Sequence, residues 1–194
     1  MDRLLKLKHW QLFILLFGIP FILQFAFAFS MALAPDSMMP YAVMPIVMLL
    51  FIVIFFSWFY SLGTTLHKRL PESVKMNLTT FKFFLFTPLI YIALLCVLMF
   101  WVFNTMVTAD APPNLTWFLL IIPIHLFSMF CIFYCLYFVA KALKAVEWQK
   151  PVTFSDYVGE FFLLWFYPVG VWFIQPRVNK LFEKNDEFAN KFTN

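Results

Sequence analysis

Charge and glycine are both scarce in this chain. Only 12% of its 194 residues are charged and only four are glycine, whereas 63% are apolar and 29 are phenylalanine. A soluble domain carries about 25% charged residues. So few charges cannot cover so much apolar surface in water, so the solvent for most of this chain is lipid. Cysteine is sparse too. Cys96, Cys131 and Cys135 form an odd set inside apolar runs, which gives no disulfide framework.

Catalytic signatures are missing as well. The sequence contains no GxSxG, no HExxH, no paired intramembrane carboxylates and no glycine-rich phosphate loop. Cys131 and Cys135 share a helix face, but His125 lies six residues before Cys131, about 120° around the helix. No second histidine or carboxylate completes a metal site. No catalytic, cofactor-binding or metal-binding residue is therefore assigned, and the reading leans away from an enzyme. The formal charge of +4 and pI near 9.0 do not point to nucleic acid. The basic residues fall in short clusters flanking apolar runs, which is how membrane topology is encoded.

About 20 consecutive apolar residues span the hydrocarbon core. Four stretches qualify, Trp10–Ala34, Tyr41–Leu62, Phe83–Val107 and Leu115–Ala140, and none contains Lys, Arg, Asp or Glu. Nothing alternates with the two-residue period of a membrane barrel. The predicted fold is therefore an all-α membrane protein with a four-helix transmembrane bundle over residues 1–150. Its short connections, Pro35–Pro40 and Thr108–Asn114, hold only the acids Asp36 and Asp110. All fourteen basic residues fall on the other side, so both termini are expected in the cytoplasm. The first span has a basic start and an Ala32-Leu33-Ala34 triplet. Its apolar run exceeds the 7–15 residues of a signal peptide, so it reads as an uncleaved anchor. The sequons at Asn77 and Asn114 read as chance matches. Abundant Phe, Lys and Asn with compact loops suggest a bacterial cytoplasmic (inner) membrane.

Residues 151–194 differ from the bundle. Phe161–Ile174 is apolar but only about 21 Å long as a helix, and lysines flank it. A full crossing would break the charge rule. The expectation is a re-entrant or interfacial segment over Asp156–Gln175, bent at Tyr167-Pro168-Val169-Gly170 and ended by Pro176. Trp165, Tyr167 and Trp172 suit the headgroup boundary. Beyond it, Val178, Leu181, Phe182, Phe188, Ala189 and Phe192 recur at helical spacing. They predict a short amphipathic tail helix that lies on the inner surface or docks on a partner.

Each span holds one proline: Pro20, Pro45, Pro88 and Pro123. With Pro168 and Gly170, these are the expected helix-break positions. Phe13/Pro20, Phe81/Pro88 and Phe161/Pro168 share one spacing, which hints at a helix-pair repeat of roughly 80 residues, as transporters use.

Intramembrane polar residues are functional candidates. Gln24 and His125 both lie ten residues from the outer end of their spans, about 15 Å deep, so a direct hydrogen bond between first and fourth helices is possible. Tyr91, Ser128 and Ser57 could join a polar lining. His9 and His67 would meet lipid phosphates. Glu160 reads as a charge at the start of the dipping helix, or as a partner contact. The leading expectation is a non-catalytic accessory, assembly or scaffold subunit of a membrane complex. Its partners would be the lipid bilayer and other membrane subunits or further copies of itself. The alternative is a small transporter or channel with its site at Gln24 and His125, lined by Tyr91.

Overall fold

A computed structural model describes residues 3–33, 39–109 and 116–192. Every element is helical. The first span comprises α1 (His9–Phe13), a π-helical turn (Ile14–Gly18) and α2 (Ile19–Leu33). It is followed by α3 (Met39–His67), α4 (Leu78–Ala109), α5 (Thr116–Trp148), α6 (Phe154–Trp165) and α7 (Tyr167–Phe192). Four helices are long and apolar enough to cross a membrane: His9–Leu33, Met44–His67, Leu78–Val102 and Ile121–Trp148. The protein is thus a multi-pass integral membrane protein. The connections carrying Asp36 and Asp110, the end of the Ala32-Leu33-Ala34 triplet and the sequon at Asn114 lie outside the described residues.

At one end, α3 reaches His67 and α5 reaches Trp148, beyond the uncharged runs. Long basic side chains permit this, because their stems pack on apolar surface while their heads stay solvated. Local chemistry marks the boundaries. The Asn77 side chain accepts from the Thr80 amide at 3.1 Å and so opens α4. That sequon asparagine is a helix cap. Gln149, at φ 52°, closes α5 in the left-handed region, and its side chain donates to the Val146 carbonyl at 2.7 Å. Thr153 and Asp156 cap α6 reciprocally, with Asp156 accepting from the Thr153 amide at 2.7 Å.

The helices pack α2 on α3, α3 on α4 and α5, α4 on α5, α5 on α6, α6 on α7, and α7 back on α1. Segment 3–8, connection 68–77, connection 149–153 and the α6–α7 hairpin all gather at one end. Arg69 donates to the Leu181 carbonyl of α7 at 2.7 Å, which ties the second of these to the last. We call this the basic end.

Burial is concentrated there. Among the described residues, buried positions on α3 begin at Ile52, those on α4 end at Cys96, and those on α5 begin at Ser128. None of α2 is buried. In lipid, apolar burial between helices brings no hydrophobic gain, so close packing has to hold the helices. Gly63 shows how: a Cβ there would lie 2.3 Å from the Phe81 ring. Phe81 in turn stacks on Phe138 with ring centroids 4.4 Å apart. Three helices meet at that stack.

The expected bend in the C-terminal segment is present one residue earlier than predicted. Phe166 leaves helical geometry (φ −88°, ψ 56°) between α6 and α7. Pro168 then falls in the first turn of α7, where its missing N–H has no helical acceptor to lose. Gly170 is required by contact, since a Cβ there would lie 1.7 Å from the Leu163 carbonyl oxygen. Pro176 does not end the segment. It lies inside α7, which continues unbroken to Phe192, so the second half of the expected dipping segment and the expected tail helix are one helix. The hydrogen bond lost at Pro176 is offset by burial of Ile174, Gln175 and Val178 around it. The tail's apolar side chains beyond Leu181 lie outside the described residues.

Of the other expected breaks, Pro45, Pro88 and Pro123 lie within continuous helices. Pro20 follows the π-helical turn. It cannot donate to the Leu16 carbonyl, and the Tyr167 hydroxyl from the hairpin approaches that oxygen at 3.5 Å.

Candidate functional site

Two polar groupings stand out, and the larger is at the base of the hairpin. Lys144 and Glu147 are one turn apart on α5, so they share a face. Glu160 comes from α6 and Arg177 from α7. The Glu160 carboxylate is buried and accepts from Lys144 Nζ at 2.8 Å and from Arg177 Nη2 at 2.7 Å. Arg177 also engages Glu147 with two nitrogens, Nε at 2.7 Å and Nη2 on the second oxygen. Two cations and two anions balance. Glu160 is therefore the centre of a three-helix ion-pair network, and not a solvated charge at a helix start.

Burial alone would raise the pKa of Glu160, but its hydrogen bonds to Lys144 and Arg177 outweigh that and hold it below the ordinary carboxylate value. Glu147 holds Arg177 above its ordinary value despite burial, and Glu160 adds to the effect. Asp156, exposed at the cap, is lowered by its hydrogen bonds to Thr153.

A buried amide adjoins this network. Gln175 on α7 is fully enclosed. Its Oε1 accepts from Trp58 Nε1 of α3 at 3.2 Å. Its Nε2 faces the carbonyls of Leu5 at 2.9 Å, Leu7 at 3.0 Å and Leu4 at 3.4 Å, and Asn179 Oδ1 at 3.1 Å. Two hydrogens serve four acceptors, so these bonds are shared. Asn179 Nδ2 donates to the Leu7 carbonyl at 3.1 Å. The turn at residues 3–8 is thereby clamped to α7. No sequence feature singled out Gln175, because its partners lie 117 and 170 residues away.

The second grouping is the intramembrane set named from sequence. His125 Nδ1 lies 3.2 Å from the Tyr91 hydroxyl, joining α5 to α4. Tyr91 is buried, whereas His125 is exposed on the bundle surface. Gln24 is exposed on α2, which packs on α3. The possible Gln24–His125 bond is replaced by the Tyr91–His125 bond. Equal depth did not imply a shared azimuth, so the two residues do not converge within one chain. Ser128 is buried on α5 and Ser57 half-buried on α3. His67 bonds the Met76 carbonyl at 2.9 Å, bracing the 68–77 connection where lipid phosphate had been expected. His9 lies against Trp172, with ring centroids 4.8 Å apart.

Among the described residues, no group of three His, Cys, Asp or Glu converges. Cys131 and Cys135 are both buried on one face of α5, as their spacing implied. The chain matches no known protein family, no curated protein and no solved structure.

Proposed function

We propose that this protein is a non-catalytic assembly or scaffold subunit of a membrane complex, resident in a bacterial inner membrane with both termini in the cytoplasm. The observation that carries the reading is the outward position of His125. Its Nδ1 is engaged by Tyr91 and its ring is exposed at a depth where lipid offers no hydrogen bonds. A helix from another subunit, or from a second copy, satisfies such a group. Gln24 presents the same chemistry from α2.

In this reading the α6–α7 hairpin re-enters from the cytoplasmic face. Its tip carries exposed Phe162, Trp165, Phe166 and Val169, and Tyr167 reaches Phe55 of α3 with ring centroids 5.1 Å apart. Phe55 is twelve residues from the His67 end of α3, about 18 Å along the helix. An aromatic tip at that depth suits a segment that enters the bilayer and returns. The ion-pair network then sits at the hairpin's base and fixes its angle.

Photo-crosslinking in intact membranes tests the proposal. A photoreactive amino acid in place of Leu126, beside His125, should capture one defined membrane protein. His125→Leu should abolish that capture without changing the melting temperature of the purified chain by more than a few degrees. Capture of lipid alone would count against the scaffold reading.

A further inference from the structure

An apolar cleft of 60 Å³ lies between α3 and α4 in the basic half of the bundle, lined by Phe56, Ser57, Tyr60, Leu85, Phe86 and Leu89. It opens sideways, and Phe86 on its rim is exposed to the surroundings of the bundle. At its basic end, Lys82 places Nζ 5.8 Å from the centre of the Tyr60 ring. No described carboxylate pairs with Lys82. The connection directly beyond carries two more exposed cations, Lys68 and Lys75.

We infer that this cleft seats a short stretch of one acyl chain of an anionic glycerophospholipid from the leaflet at the basic end, with the headgroup phosphate at Lys82. Three features converge on that occupant. A narrow lateral cleft in a membrane protein is filled by a lipid chain, because a void forfeits dispersion contacts on one side. Lysine near a helix end extends its ammonium to headgroup level, and tyrosine sits at the same depth. The unpaired ammonium at the mouth, with Lys68 and Lys75 behind it, selects a negative headgroup over a zwitterionic one. This differs from the His125 surface, which faces the other half of the membrane and asks for a hydrogen-bonding helix.

The test uses the full chain in a mild detergent, titrated with phosphatidylglycerol or phosphatidylcholine of identical acyl composition and read by native mass spectrometry. The expected result is one tightly retained phosphatidylglycerol, bound about tenfold better than phosphatidylcholine. Lys82→Gln should erase that preference while leaving weak binding of both. Ser57→Phe, which fills the cleft, should displace both lipids. Leu89→Phe narrows the same cleft from α4 and replaces Ser57→Phe if that variant does not fold. Equal retention of the two lipids, a preference that survives Lys82→Gln, or binding unaffected by filling the cleft would each overturn the assignment.

Discussion

The two halves of this bundle are built to different standards. Toward the basic end, tight glycine contacts, stacked rings and a charge-balanced network bring every helix against a neighbour. Toward the far end, α2 has no buried residue, and large side chains such as Phe25, Phe29, Val97, Trp101 and Leu119 are exposed. Close packing and interhelical hydrogen bonds hold helices together in lipid. The contrast teaches that cohesion of the single chain comes from the basic half.

That contrast can be broken by substitution, beginning with the hairpin. Gly170→Ala drives a Cβ into the Leu163 carbonyl, a backbone atom that cannot rotate away. We expect a loss of at least about 3 kcal/mol in detergent unfolding, the upper end of overpacking effects. Glu160→Ala leaves Lys144 without its carboxylate and Arg177 with Glu147 alone, and should cost about 3 kcal/mol, at the low end for buried pairs because both cations retain some water. Gln175→Leu removes the partner of the Trp58 N–H and the side-chain donor to the Leu4 and Leu5 carbonyls, and should cost about 2 kcal/mol. It should also expose segment 3–8 to limited proteolysis. In the far half, Phe29→Ala should change stability of the purified chain by less than about 0.5 kcal/mol. A large effect there would erase the distinction between the halves.

Acid provides a finer probe. Glu160 is held below its ordinary value in the folded chain, so its ion pairs contribute fully above the unfolded carboxylate value. The contribution is lost as pH falls through the folded value. Melting temperatures between pH 7 and pH 3 should therefore drop on the acid side. Glu160→Gln should start lower at pH 7 and show a shallower drop.

Much of the architecture was legible because membranes impose it. Four runs without a formal charge, flanked by every basic residue, announce four helices and the end at which they are joined. The bend near Pro168 and Gly170 was legible because proline and glycine each limit what a backbone can do. Helix azimuth was not. His125 and Gln24 match in depth, yet only neighbouring helices decide which way each side chain points. The Glu160 network was also hidden, since Lys144 and Arg177 lie 16 and 17 residues from it and meet it only once α5, α6 and α7 pack. The continuity of α7 through Pro176 was missed for a related reason. A local rule for helix ends was overridden by the burial of Ile174, Gln175 and Val178.

A scaffold role requires the far half to be completed by another protein. The direct measurement is the mass of the assembly released from native membranes into polymer-bounded discs, without detergent. We predict a particle containing this chain and a stoichiometric membrane protein or further copies of itself, with the non-self chains lost in His125→Leu. A particle holding one copy of the chain and lipid alone would contradict it.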